Sequence, residues 1–420
     1  MNSEKPGGCS PVRRVAPTHD FAAKLKQPSL YPHVLDYVRW QRALREARAK
    51  GRELPAMPEI APISINLDLT TACNYRCDHC IDWDILNSPI KYEHAKLEQS
   101  IAELAERGLK SVILIGGGEP TIYPGFERMV RFLKELGLQV AIVSNGSRNK
   151  KLLAIMDVLG KGDWVRLSLD SGTDATFQKM HNPILSLTLE DICSWVPKMR
   201  ERQPDVLVGF SYIIVWDGAE REEGVSIVPN IEEIVEATKL AREHRFSYIS
   251  LKPFLTRTLE GSEVMDPEQA QQELSQVLAR IRSLVDEAKT YETEDFRVTE
   301  SINLRVLEQG NWKDFTQQPQ ICHMQALRQV LSPLGLYNCP AHRGVEKAQI
   351  GGRDAYAGEQ AFGITAQSTA KILDRFDASI ECSEVTCLYH SVNWWLEDLV
   401  KNGVDLDLLE STTERMDWFL

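Results

Sequence analysis

The chain has 420 residues, 43% hydrophobic and 26% charged, which excludes fibrous, collagenous and fully disordered classes. Its 48 Lys and Arg against 60 Asp and Glu leave a formal net charge of −12, a poor basis for sequence-independent nucleic-acid binding. The longest apolar stretch, Val206 to Trp216, falls far short of the ~18 residues a membrane span needs, and the N-terminus lacks the apolar core of a secretory signal. Neither nucleic acid nor membrane is therefore an expected partner, and a cytoplasmic location with reduced thiols is expected.

Residues 1 to about 28 are polar and rich in Gly and Pro, which reads as a mobile or loosely docked tail. The run from Tyr31 to Arg52 is helical in pattern and is stopped by Gly51 and the Pro55/Pro58 pair. From Ile63 onward, short apolar runs alternate with amphipathic stretches. The expected strands are Ile63–Leu69, Ser111–Ile115, Gln139–Val143, Trp164–Asp170, Leu207–Val215 and Tyr248–Leu251, with helices near 93–107, 125–136, 149–159, 188–200 and 230–244. Such alternation with short links means βαβ units and a parallel sheet. Six units are too few for a closed eight-stranded barrel, so the expected class is α/β, a partial (β/α)6 barrel with parallel strands.

Parallel strands covered on both faces usually read as continuous apolar runs, yet several here alternate. Asn66 and Asp68 alternate with apolar residues in the first strand, Arg166, Ser168 and Asp170 in the fourth, and Tyr248, Ser250 and Lys252 share one face of the sixth. Residues at period two point the same way. The economical reading is helices outside and a polar lumen inside, with Asn66, Asp68, Arg166, Tyr248, Ser250 and Lys252 as substrate-binding candidates. The alternative is a set of satisfied hydrogen bonds at strand ends.

After Pro267 a helical run reaches about Ala288, and a charged linker follows. Residues 320–390 hold four cysteines, several glycines and little periodicity, so a metal would have to staple them. A small cysteine-rich α+β domain, hairpin plus helix, is expected there. The divisions are 1–58, tail and helical extension; 59–290, partial barrel; and 291–420, cysteine-rich domain.

The nine cysteines are 9, 73, 77, 80, 193, 322, 339, 382 and 387. An odd count without a secretory signal argues for metal or catalytic thiols over a disulfide framework. Cys73, Cys77 and Cys80 follow the first strand at spacing CxxxCxxC. Three thiols on one loop can hold an iron–sulfur cube whose fourth iron stays open; a three-cysteine zinc site is the alternative. Cys322 and Cys339 flank a hairpin turning at Ser332-Pro333-Leu334-Gly335, and Cys382 and Cys387 lie close together before a helix at Asn393–Lys401. Four thiolates suit zinc equally well. Cys193 reads as a small buried hydrophobe, with a hydrogen-atom donor as the alternative, and Cys9 as incidental. His181, His323, His342 and His390 lack ligand-like spacing, although His323 could orient the second cysteine set. Trp394 and Trp395 are expected to pack the last helix, and residues 217–223 to form a solvated loop.

The second strand ends in Gly116-Gly117-Gly118-Glu119-Pro120, the third in Ser144-Asn145-Gly146 and the fourth in Ser168-Leu169-Asp170. CxxxCxxC followed by GGEP in this order resembles the radical S-adenosylmethionine superfamily, over about residues 60 to 255. The resemblance implies that Cys73, Cys77 and Cys80 ligate a 4Fe-4S cluster that binds S-adenosylmethionine. It implies that His79 lies against the adenine, and that Gly117, Gly118 and Glu119 meet the methionine amino group. Ser144, Ser168 and Asp170 sit where ribose or carboxylate contacts are often made. The later cysteines resemble the twitch, or shortened SPASM, extension, which implies an auxiliary 4Fe-4S cluster on Cys322, Cys339, Cys382 and Cys387. By the same resemblance the activity is reductive cleavage of S-adenosylmethionine to a 5′-deoxyadenosyl radical that abstracts hydrogen from a small polar substrate. Aminosugar, cyclitol, nucleoside and nucleotide sugar are the candidate classes, with the auxiliary cluster as electron acceptor for an oxidation. A redox-neutral elimination or epimerisation would begin identically, and maturation of a ribosomally made peptide is the alternative substrate class. A flavodoxin or ferredoxin is the implied reducing partner. A non-enzymatic zinc or cluster protein would leave GGEP and the polar strand faces unexplained.

Overall fold

A computed structural model describes residues 20–221, 224–258, 262–270 and 272–420. Fourteen strands are assigned among them: β1 (Ser64–Leu67), β2 (Ser111–Leu114), β3 (Gln139–Ser144), β4 (Trp164–Ser168), β5 (Leu207–Ile214), β6 (Glu220–Arg221), β7 (Val225–Ser226), β8 (Tyr248–Pro253), β9 (Thr256–Arg257), β10 (Glu263–Val264), β11 (Arg297–Glu300), β12 (Arg328–Ser332), β13 (Gly335–Tyr337) and β14 (Gln349–Gly351). Ten form one open sheet, in the order β11-β8-β5-β4-β3-β2-β1-β12-β13-β14. The six expected strands are its middle, all parallel. β11, inside the stretch read as a linker, adds a further parallel strand beside β8, so the sheet carries on past residue 290. β12 pairs parallel with β1 and turns back through the expected hairpin onto β13, with Ser332 opposite Gly335. β6–β7 and β9–β10 are separate two-residue ribbons, so the stretch expected as a loop at 217–223 holds the paired strand β6 at Glu220–Arg221, and its residues 222 and 223 lie outside the described set.

The crossover helices form where apolar residues recur at helical spacing. Helix Phe126–Glu135 buries Phe126, Met129, Val130 and Leu133, the i, i+3, i+4, i+7 pattern of a surface helix. The expected helix near 188–200 is two helices, Leu189–Cys193 and Val196–Arg202. A capping box between Thr188 and Asp191 starts the first, and Pro197 sits in the first turn of the second. The helix faces pack on Ile65, Leu67, Val112, Leu114, Val140, Ile142, Val165, Leu167, Val208, Phe210, Ile249 and Leu251, all fully buried. Those on β1, β4 and β8 alternate with the polar set read from the sequence, so the polar set occupies the opposite, inner face of the sheet, which β2 and β3 share with the apolar Ile113 and Ala141.

A second core is made from the two ends of the described chain. Tyr31, Val34, Val38, Trp40 and Leu44 of helix Tyr31–Ala49 pack with Leu327, Tyr389, Val392, Leu396 and Val400 of the cysteine-rich region. Phe21 and Leu25 join them, so residues 20–28 are docked, contrary to the reading of a loose tail; residues 1–19 lie outside the described set. The low periodicity of 320–390 also concealed a 17-residue helix, Glu359–Arg375.

Candidate functional site

The loop after β1 carries Cys73, Cys77 and Cys80 and is pinned from several sides. Arg76 N–H donates to His181 O at 3.2 Å and Asp78 N–H to Met180 O at 3.0 Å. Asn87 Oδ1 accepts from Cys73 N–H at 3.1 Å. The three cysteines are free thiols. Burial pushes the Cys73 thiol up and Cys77 well above the usual range, and takes Cys80 to about 12. Thiols so shielded become thiolates when a cation compensates the charge, as an iron–sulfur cluster does.

The turn after β2 lies directly on this loop. Gly116 and Gly117 have φ of +81° and +66°, a region glycine enters without strain. A Cβ on Gly118 would overlap the Ala72 carbonyl, and Glu119 N–H donates to that same oxygen at 2.9 Å. Glu119 is 3% exposed; its Oε1 accepts from Ser144 Oγ at 2.7 Å and Thr121 Oγ1 at 2.6 Å, and its Oε2 from Asn145 N–H at 2.7 Å. Burial raises its carboxyl above the usual range, against these hydrogen bonds. The motifs after β1, β2 and β3 thus form one hydrogen-bonded unit at the C-terminal ends of adjacent strands, where open α/β sheets bind ligands.

His79, Asp170 and His181 form a buried cluster whose ligand-type atoms lie within 4.8 Å of one another. His79 Nε2 pairs with Asp170 Oδ2 at 3.2 Å, and Ile213 N–H donates to Asp170 Oδ1 at 2.8 Å. Burial opposes the charge of Asp170, but the two histidines and these hydrogen bonds hold its carboxyl below the usual range. His181 Nε2 pairs with Leu169 O at 2.9 Å and Nδ1 with Cys77 Sγ at 3.3 Å. His79 Nδ1 is buried without a hydrogen-bond partner, an orphan that suits a bound ligand. His181, dismissed from the sequence for want of spacing, reaches Cys77 through the fold alone.

Of the inner-face candidates, two are already engaged. Asn66 Oδ1 accepts from Arg328 Nη2 at 2.8 Å, and Asp68 lies 3.0 Å from Arg343 Nε. Arg343 also reaches Asp82 at 2.7 Å, and Gly117 N–H donates to Asp82 at 3.1 Å. Burial lifts the Asp68 carboxyl to about 7, with Arg343 opposing. Arg166, Ser168, Tyr248, Ser250 and Lys252 line the inner faces of β4 and β8.

Cys322, Cys339, Cys382 and Cys387 converge on one pocket, otherwise lined by apolar side chains including Phe376 and Val385 and by polar ones including Arg328 and His342. Burial takes Cys339 to about 11 and Cys387 to about 12, and raises Cys322 and Cys382 as well. Four thiolates of this kind can hold either zinc or an iron–sulfur cluster. His342, which sequence spacing did not single out, lies 3.6 Å from Cys382 Sγ. His323 pairs with Tyr37 at 2.9 Å and Glu397 at 2.8 Å, fixing the segment that bears Cys322. Cys193 is fully buried in the main core. Trp394 is 38% exposed, so it is not the packing residue expected; its indole donates to Gln317 O at 2.9 Å.

Residues 67–257 match the radical SAM superfamily, and the chain carries a radical SAM domain. Enzymes of this superfamily use a 4Fe-4S cluster and S-adenosylmethionine. The chain is 35% identical over 113 residues to an S-adenosylmethionine-dependent nucleotide dehydratase of a Thermoplasmatales archaeon (strain ISO4-H5), covering 27% of this chain and 39% of that one. It is 34% identical over 114 residues to the mycofactocin maturase MftC of Mycobacterium ulcerans (strain Agy99), covering 27% and 30%. The matches thus span well under two thirds of these relatives' own length. Among solved structures, Streptococcus suis SuiB bound to S-adenosylmethionine shares the fold, with a TM-score of 0.51 and 15% identity over 72% of this chain and 67% of that one. No helix of the described residues is long and apolar enough to cross a membrane.

Proposed function

We propose that the chain is a radical S-adenosylmethionine enzyme acting on a small polar substrate in the sheet's inner face, with an auxiliary iron–sulfur cluster in a twitch-like C-terminal region. The observation that carries it is the close packing of the Cys73–Cys80 loop on Gly116–Glu119, with the orphaned His79 Nδ1 beside it. Cys73, Cys77 and Cys80 would hold the first cluster, and His79, Gly117, Gly118, Glu119, Ser144, Ser168 and Asp170 the cofactor. When bound, the cluster and S-adenosylmethionine supply a 5′-deoxyadenosyl radical. The chain's task is to exclude water and hold a substrate carbon at the strand ends. Cys322, Cys339, Cys382 and Cys387 would hold the auxiliary cluster, whose presence favours a net oxidation. The name of the dehydratase relative supports the nucleotide end of the substrate range and keeps a redox-neutral elimination in view. A cytoplasmic setting with a flavodoxin or ferredoxin donor belongs to the same proposal. Peptide maturation is the second reading, supported by the maturase relative.

Iron and acid-labile sulfide of anaerobically reconstituted protein test this reading. Two cubane clusters predict about eight irons per chain, falling to about four when Cys73, Cys77 and Cys80 are all replaced by Ala. About four falling to none would remove the auxiliary cluster. A colourless protein that forms no 5′-deoxyadenosine under reduction would overturn the whole proposal.

A further inference from the structure

The inner face of the sheet carries two partly exposed basic side chains, Arg166 and Lys252, with no carboxylate paired to either among the described residues. In the register of β4, β5 and β8, Ser168, Ser211 and Ser250 stand opposite one another in one row. Arg166 lies one inward position before this row, on β4, and Lys252 one inward position after it, on β8. Neighbouring strands are about 4.8 Å apart and same-face residues about 6.7 Å apart along a strand, so Arg166 and Lys252 stand at opposite ends of the serine row. Gly209 sits beside Arg166 and Tyr248 in the sheet, and a Cβ there would overlap the Tyr248 ring, which covers that position.

Among the described residues, no carboxylate lies within ion-pair distance of either cation. The Arg166 guanidinium rests over the Trp164 ring, 5.2 Å from its centroid, and its Nε is buried without a hydrogen-bond partner. Lys252 Nζ donates to Ser211 Oγ at 3.2 Å. Asp170 is the acidic group that acts on both cations, and its two oxygens are already taken by Ile213 N–H and His79. Burial, reinforced by Arg166, drives the Lys252 ammonium well below its usual range. Shielding a basic group from water without a counter-charge is unfavourable, so stability alone does not account for the pair.

We infer that Arg166, Lys252, Ser211 and Ser250, with Ser168 left to the cofactor, bind an oxyanion of the substrate, a phosphoryl group such as a nucleotide or sugar phosphate carries. Two basic groups and two hydroxyls exceed what the two oxygens of a carboxylate can engage and suit the three terminal oxygens of a phosphate. This rests on the proposed reading of the inner face as the substrate site and adds the charge of the substrate to it. The carboxylate of S-adenosylmethionine is the competing occupant.

The test uses anaerobically reconstituted protein saturated with S-adenosylmethionine, with inorganic phosphate as the probe and acetate as the control, read by equilibrium dialysis. The expected result is phosphate binding to the S-adenosylmethionine complex, weakened at least tenfold in Arg166→Gln and in Lys252→Met and largely kept in Arg166→Lys. Acetate should bind at least tenfold more weakly than phosphate. Melting temperatures of the two neutral variants in phosphate-free buffer should equal or exceed that of the wild type, an outcome that a purely structural role for the cations would reverse. Equal phosphate affinity in all variants would mean an adventitious ion only and would overturn the inference. So would absent phosphate binding, or phosphate that competes with S-adenosylmethionine together with a tenfold loss of its affinity in Arg166→Gln. If the wild type forms no 5′-deoxyadenosine, the enzymatic reading itself fails, whatever phosphate does.

Discussion

At the scale of single residues, the motif loops are held by backbone approach as much as by side chains. Gly118 sits so close to Ala72 that a methyl group has no room, and the neighbour is backbone, which cannot swing away. Gly118→Ala should therefore displace the Cys73 loop and lower 5′-deoxyadenosine formation at least a hundredfold. Loss of the reduced-cluster paramagnetic signal would accompany it. Retention of both signal and activity would show that the loop adapts. His33 offers a second measurement far from any cysteine. Burial, assisted by Lys110 and opposed by Asp36, holds its imidazole down at about 4. Between about 6.5 and 4 the unfolded chain takes up a proton that the folded chain excludes, so His33 contributes stability above this window that is lost as pH falls through it. In His33→Gln the denaturation midpoint should fall less steeply over this window, by at most about 1.4 kcal/mol per pH unit. Cys73, Cys77, Cys80 and the glycines were legible in the sequence because their spacing is local. His181 and His342 were not, since each meets its cysteine only after the chain has crossed the sheet.

Among the elements, the ordering of the sheet carries the new information. The hairpin β12–β13 was read correctly from Ser332 to Gly335, but its place beside β1 depends on which edge of the sheet lies open. That docking brings Arg343, four residues after Cys339, onto Asp68 and onto Asp82, two residues after Cys80. The pair of bridges is nearly dry, with Arg343 at 4% exposure, and links the segment after Cys80 to the segment after Cys339. Arg343→Met should destabilise the fold by about 3–5 kcal/mol, because two buried carboxylates lose their partner. Adding Asp82→Asn should restore part of the loss in a denaturant titration; additive losses would mean that the guanidinium acts through packing alone. Helix Glu359–Arg375 escaped the sequence reading because Thr365 and Thr369 interrupt its buried face, and packing against the sheet overrides that weak local preference.

For the molecule as a whole, the two ends of the described chain meet: Lys24 Nζ donates to Phe419 O at 2.8 Å, and Phe21, Leu25 and Leu420 share one core. Helix Tyr31–Ala49 supplies the apolar surface that residues 320–390 lack, so the cysteine-rich region does not stand on metal alone. At the N-terminal end of the sheet's inner face, Phe419 packs on Ile113, Ala141 and Trp164. Trp418 O accepts from Ser111 Oγ at 2.8 Å there, and Gln139 Nε2 donates to Met416 O at 2.6 Å. Phe419→Ala should lower stability by about 3–5 kcal/mol, read from the shift in urea midpoint. A change below about 1 kcal/mol would mean that this segment caps the sheet without supporting it.

What the sequence determined by itself was whatever depends on neighbours along the chain. The alternation of strand and helix, the polar faces of β1, β4 and β8, the CxxxCxxC loop, the glycine turn and the hairpin are all set by residues within a few positions of one another. Only the tertiary structure decided which of those faces meet. It committed Asp68 and Asn66 to arginines from the C-terminal region, left Arg166 and Lys252 without an anion, and brought four cysteines spread over 66 positions to one pocket. The physical reason is that local propensity fixes the direction a side chain takes from its own strand or helix. The side chain it meets there depends on the order in which distant strands pair, which no local pattern encodes.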